Sequence, residues 1–415
     1  MIWSDLTPPR LQVRTVEIDD PGPLLARLPR TDAQAWIRGG EGMIGYGEAV
    51  RHKPVSIAEA DEWWTDLITH TEVVTGLDLP PAGCGLVAFG SFVFDPENSE
   101  GQSRLIVPEV VIGRRNGRCW LTQIGPEPIG WPDGAASPAD APRSVQFSTG
   151  GLNEQAWQGA VAEAVRRIGR GEVDKVVLAR DVVAQAENDI DLRWVAGRLA
   201  ERYPQCWTYL VDGLVGATPE MLVKREAGVA RSRVLAGTIR RSGHDDHDLN
   251  LAAALSRSSK DLEEHEYAVR SVAAALSPYC SDMEIPQTPY VLVLPNLLHL
   301  ATDVRGGVRK GVSSLALAAA LHPSAAVCGT PTDPARAMIA DLEHLDREGY
   351  TGPVGWVDAR GDGEWGIALR CGLISETDPR QIRLFAGCGI VAGSDPAAEL
   401  AESIAKLIPM RDALA

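Results

Sequence analysis

Tyr350-Thr-Gly-Pro-Val-Gly-Trp-Val-Asp358, Trp365-Gly-Ile-Ala-Leu-Arg-Cys371 and Gln381-Ile-Arg-Leu-Phe-Ala-Gly-Cys-Gly-Ile390 follow one another with only short Gly-, Asp- and Pro-containing breaks. Each reads as a strand, and strands that succeed one another without an intervening helix imply antiparallel hairpins. Working outward, further strands are predicted at 175–184, 208–211 and 291–294. Helices are predicted at 153–170, 191–202, 258–276, 314–320, 334–348 and 396–408. Nearer the start, 85–94 and 105–112 read as strands and 57–75 as a helix. The elements mix without regular βαβ alternation, so the fold class is α+β.

A Gly- and Pro-rich stretch between about 125 and 151 is a loop or linker that separates a first part from a longer second part. The chain has 415 residues, 45% hydrophobic and 23% charged, enough for a sizeable core. Its net charge of −16 argues against a nucleic-acid partner, and an anionic substrate would need a local cationic pocket. Seven cysteines without CxxC spacing disfavour a disulfide framework or a zinc site and point to buried free thiols in a reducing cytoplasm. No secretory signal follows Met1, and no run approaches the ~20 apolar residues of a membrane span. A cytoplasmic protein without a membrane partner is expected.

Four segments carry groups capable of chemistry. In Gly171-Glu-Val-Asp-Lys-Val-Val-Leu-Ala-Arg180, Lys175 opens an apolar strand and shares a face with Val177. It is either a lysine snorkelling to solvent or a partly desolvated general base. Glu220, in the turn Gly216-Ala-Thr-Pro-Glu-Met-Leu222, is either a surface carboxylate or, in an apolar cleft, a general acid. Ser258 and Asp261 form a helix N-cap pattern, with Glu264 on the helix's polar flank, either solvated or a ligand for a hard cation. Glu399, Glu402 and Lys406 share one face of a helix capped by Asp395, which by spacing alone is a salt-bridged surface face. Arg370 and the glycine pair Gly387 and Gly389 are candidate anion contacts. Neither a G-x-G-x-x-G nor a Walker A sequence is present.

In chain order these segments join Leu235-Ala-Gly-Thr-Ile-Arg240, Leu298-His-Leu300 and Leu321-His-Pro-Ser-Ala-Ala-Val-Cys-Gly-Thr-Pro331. Over about residues 152–408 the chain resembles the chorismate-binding region of the chorismate-utilising enzymes: isochorismate, salicylate, anthranilate and aminodeoxychorismate synthases. The first 150 residues resemble that family only loosely, as its divergent N-terminal half.

The resemblance implies a single catalytic domain over 1–415, with large antiparallel sheets packed together and helices outside. It implies Lys175 as the base that activates water at C2 of chorismate, Glu220 as the acid for the departing C4 hydroxyl, and His299 beside that hydroxyl. It implies Mg²⁺ held by Glu264 and Glu402, with Asp261 and Glu399 nearby. Tyr350, Arg370, Lys406 and the backbones of Gly237, Thr238, Gly387 and Gly389 are implied as substrate contacts. Lysine at 175, where ammonia-using members carry glutamine, points to isochorismate or salicylate formation, and the 322–331 stretch resembles isochorismate synthases; the small molecule chorismate is the implied partner and a monomer the implied assembly. Menaquinone and siderophore biosynthesis are the implied settings. Salicylate synthase, which adds pyruvate elimination, is the alternative, since Ser324 and Ala325 depart from the usual Thr-Pro of isochorismate synthases. A catalytically silent binding protein of the same fold is a third reading.

Overall fold

Alternating burial along Leu11–Ile18 marks a strand with one face on the core, whereas Val87–Ser91, Trp207–Val211 and Pro353–Asp358 are buried at every position. Strands of the second kind need cover on both faces. Two large sheets packed together with helices outside supply it. The computed structural model describes residues 10–126, 137–293 and 297–415, apart from the side chains of Thr238, Lys260, Asp261 and Glu264.

Among the described residues one sheet has thirteen strands and the other ten. In the larger sheet, Lys175–Gln185 pairs with Gln381–Ile390, and the order continues through Cys371–Ile374, Leu214–Thr218 and Trp207–Val211 to Ala33–Arg38. The smaller sheet runs through Leu297–Val308, Val229–Arg240, Met221–Glu226, Gly363–Ile367 and Pro353–Asp358 to Val87–Ser91. Strands from before residue 125 and after residue 151 therefore lie side by side in both sheets, and within the stretch expected as a loop Gln146–Thr149 is itself a strand, paired with Lys175–Gln185. Pairing is antiparallel except between Leu11–Ile18 and Thr71–Thr75, among the described residues. Trp36, Trp356, Trp365 and Phe89 are wholly buried in the main hydrophobic core. The chain belongs to the α+β class read from its hairpins.

Several boundaries differ from the sequence reading. The predicted helix 57–75 stops at Thr69, and Thr71–Thr75 becomes an edge strand. Pro108 interrupts 105–112, giving the two strands Arg104–Val107 and Val110–Arg115. The helix expected over 334–348 is Thr332–Glu343, ended by His344 in the left-handed conformation at φ 47°. Thr351 has φ 64°, so the strand expected from 350 begins at Pro353. At the C-terminus, Pro396–Leu414 continues through Pro409, because Met410, Ala413 and Leu414 are buried beyond it.

Trp365 packs between the smaller sheet and the helix Ser314–Leu321, donating from Nε1 to Ser314 Oγ at 3.2 Å and meeting Phe92 at a ring separation of 5.4 Å. Trp365→Ala is expected to cost about 3–5 kcal/mol, read as a lower urea midpoint with an unchanged denaturant slope.

Candidate active site

Two of the places where the chain crosses between the sheets lie side by side. Pro219 and Glu220 join Leu214–Thr218 of the larger sheet to Met221–Glu226 of the smaller. Ala368, Leu369 and Arg370 return from Gly363–Ile367 to Cys371–Ile374. The crossings bond to each other, with Ile367 N donating to Glu220 O at 3.1 Å and Ala217 N to Arg370 O at 3.3 Å. Arg370 takes φ 49°, a left-handed conformation a non-glycine residue adopts only where its surroundings hold it. A cleft of about 1230 Å³ opens at this seam, and Glu220 and Arg370 both line it.

The remaining walls come from paired strands. Val177 lies opposite Gly389 and Ala179 opposite Gly387, which brings Lys175 alongside the glycine pair. A Cβ on Gly389 would sit 2.9 Å from Lys175 Cε, and one on Gly387 would sit 3.1 Å from Tyr350 Oη. Both glycines are thus set by close approach, and Tyr350 stacks on Phe385 with ring centroids 5.2 Å apart. From the smaller sheet, His299 pairs with Thr238 beside a bulge, where Gly237 takes φ 79°. The helix Pro396–Leu414, capped by Asp395 through Ala397 N and Ala398 N, presents Glu399, Glu402 and Lys406 to the cleft. Lys406 Nζ donates to Gly387 O at 2.9 Å and pairs with Glu402 at 2.5 Å.

Burial acts differently on each ionisable group. It pushes Glu220 up to about 7, against the lowering influence of Arg370, Lys175 and Lys406. His299 falls to about 3 through burial, with Arg370 and Lys406 adding to the effect, so its imidazole is neutral. Burial also raises Glu399, helped by the charge of Glu402. For Glu402 the same desolvation is outweighed by Lys406, which holds the carboxylate below its ordinary value. Glu399, Glu402 and Cys388 present ligand atoms within 4.8 Å of one another. Burial pushes the Cys388 thiol up to about 12, and it donates to Glu399 O at 3.3 Å.

Residues 134–415 match the sequence profile of a family described as chorismate binding enzyme. The chain belongs to that family. Isochorismate synthase DhbC of Bacillus subtilis strain 168 is 39% identical over 270 residues, covering 62% of this chain and 67% of that protein. The solved structure of a putative 2,3-dihydroxybenzoate-specific isochorismate synthase, DhbC from Bacillus anthracis, superposes with a TM-score of 0.78 at 31% identity, covering 94% of this chain and 98% of that one. MenF, the menaquinone-specific isochorismate synthase from Escherichia coli, superposes at 0.80 with 24% identity over 99% of this chain and 97% of that one, a likeness of fold.

Of the residues singled out in this chorismate-binding chain, Lys175, Glu220, Gly237, His299, Tyr350 and Arg370 line one cleft with Gly387, Gly389, Glu399, Glu402 and Lys406. The side chains of Thr238, Asp261 and Glu264 lie outside the described residues. The helix Ser259–Leu276 also contributes Glu263, Tyr267, Arg270 and Ser271, which the sequence reading left out. They lie three, four and seven positions apart, the spacing of one helix face, and that was the available signal.

The close approach of Gly389 to Lys175 is testable without a reaction. Gly389→Ala must displace the lysine by roughly 0.6–1 Å to reach ordinary carbon contact, visible in a crystal structure. Gly393→Ala, whose Cβ would enter open space, should leave Lys175 in place.

Proposed function

We propose that this protein is an isochorismate synthase, adding water at C2 of chorismate and releasing the C4 hydroxyl. The observation that carries the reading is Lys175 and Glu220 lining one cleft, with Glu220 raised by burial to a value where it is partly protonated at neutral pH. The relatives named isochorismate synthase support the same reading.

Chorismate is a dianion, and the cleft counters the chain's overall charge with Arg370 and Lys406. Arg370, Lys406, Tyr350 and the exposed backbones at Gly237, Gly387 and Gly389 are its carboxylate contacts in this account. Lys175 takes a proton from water as the oxygen bonds to C2, the ring double bonds shift, and the C4–O bond breaks. Glu220 gives its proton to that oxygen, which leaves as water. One water enters and one leaves, so substrate and product are isomers, and proton exchange with solvent resets both groups. Neutral His299 offers a hydrogen bond beside the C4 hydroxyl without adding a third positive charge.

We assign Mg²⁺ to Glu402 and Glu264, with Asp261 and Glu399 beside them. Glu402 is anionic and a second carboxylate lies close to it, an oxygen set that suits a hard cation. Cys388, a protonated thiol engaged with a backbone carbonyl, does not suit it. When bound, Mg²⁺ supplies positive charge to the substrate's ring carboxylate. The reading includes a cytoplasmic monomer, consistent with seven free, buried cysteines and with no described helix long and apolar enough to cross a membrane.

Purified protein with chorismate should yield isochorismate with Mg²⁺ and none with a chelator, by chromatography of the products. Pyruvate released in step with chorismate loss would move the protein to the salicylate-forming branch, and no turnover would refute the assignment. Glu220→Gln and Lys175→Ala should each lower kcat by about 100-fold or more. Because Glu220 acts when protonated, kcat/KM should fall as pH rises through about 7, and Glu220→Gln should abolish that limb.

A further inference from the structure

We propose that Arg347 is a positioning residue whose single buried guanidinium fixes three walls of the cleft at once. Arg347 does not line the cleft and is 3% exposed. It lies just beyond the helix Thr332–Glu343 and over the Phe94 ring, 4.3 Å from its centroid. A guanidinium has five N–H donors, and this one uses all of them. Nε donates to Glu343 Oε2 at 2.9 Å, and Nη2 donates to Glu343 Oε1 and to Val177 O, the latter at 2.7 Å. Nη1 donates to Val327 O at 2.8 Å and to Thr351 Oγ1 at 3.3 Å.

The acceptors are what give the residue its role. Val177, Val327 and Thr351 all line the cleft, and they come from three separate segments. Val177 shares a strand and a face with Lys175, two residues away, and Glu343 Oε1 also accepts from Ala179 N on that strand at 2.7 Å. Thr351 follows Tyr350, whose N donates to Arg347 O at 2.8 Å. Thr351 is β-branched at φ 64°, a conformation that persists only when its neighbours hold it. Removing the fork therefore takes away one shared hold on the base's strand, the wall at Val327 and the Tyr350 turn together. Lysine, with three donors on a compact point charge, cannot replace the planar five-donor arrangement.

The chain contains its own control. Arg193 is also buried and is paired with Asp191, and it donates to the carbonyls of Leu28, Ser137 and Pro138. None of these residues lines the cleft. A purely structural role would make the two arginines equivalent.

The test compares Arg347→Lys with Arg193→Lys in the full chain, and it rests on the isochorismate synthase reading for its kinetic arm. Both variants should lower Tm. Only Arg347→Lys should lower kcat, by about 30-fold or more, with KM changed less than about threefold, as expected when geometry and not affinity is lost. A kcat within twofold of that of Arg193→Lys overturns the proposal. If Arg347→Lys does not fold, Thr351→Val removes the acceptor of Arg347, together with the hydroxyl's own bond to Tyr350 O, at nearly constant shape and should lower kcat about fivefold; an unchanged kcat overturns the proposal equally. Crystal structures separate this outcome from failure of the reading itself. Should the wild type prove inactive on chorismate, displacement of Lys175 and Thr351 in the Arg347 or Thr351 variant and not in Arg193→Lys still supports the positioning role, and unmoved residues refute it.

Discussion

Two strand crossings, hydrogen-bonded side by side, set the geometry on which the rest of the site depends. Glu220 O accepts from Ile367 N, and Arg370 O accepts from Ala217 N, where the chain passes between the two sheets. At such a seam a side chain is not committed to either sheet's packing, so it points into the gap between them. Glu220 and Arg370 face the gap for that reason, and the neighbouring strands contribute Lys175, His299 and the glycine backbones. The left-handed backbone at Arg370 is the local cost of turning there.

Within that seam, one physical effect has opposite results on neighbouring carboxyl groups. Desolvation is the largest influence on both Glu220 and Glu402. Glu220 meets its cations only at a distance and rises, which favours a proton donor. Glu402 pairs directly with Lys406 and stays low, which favours a carboxylate available to a cation. In the proposed reaction, separating the two in this way would let acid chemistry and metal binding share one cavity. An overall charge of −16 does not prevent an anion from entering, because the local cations dominate at short range.

Much of the fold and most of the candidate site could be read from the chain. Hairpin succession over 350–390 led to the α+β class, and the Asp395-Pro396 pair marked a helix start that the structure retains. Spacing alone misjudged the face bearing Glu399, Glu402 and Lys406, since amphipathic periodicity cannot tell a solvated face from one lining a cavity. The ends of elements were harder still. Pro409 remains helical because of tertiary burial, and Thr351 turns because Arg347 and Ala368 hold it, neither of which is a local signal. Arg347 itself has no sequence pattern to mark it. Its meaning lies in acceptors 170, 20 and 4 residues away.

The central claim is that Lys175 and Glu220 act on two different oxygens, one arriving from water and one departing as water. Initial-rate turnover of chorismate in water enriched in heavy oxygen, followed by mass spectrometry of the isochorismate, addresses it directly. The account predicts one solvent-derived oxygen per product molecule, located at C2. Isochorismate that carries no heavy oxygen would mean that the C4 hydroxyl migrates within the molecule, and would contradict the paired base-and-acid arrangement.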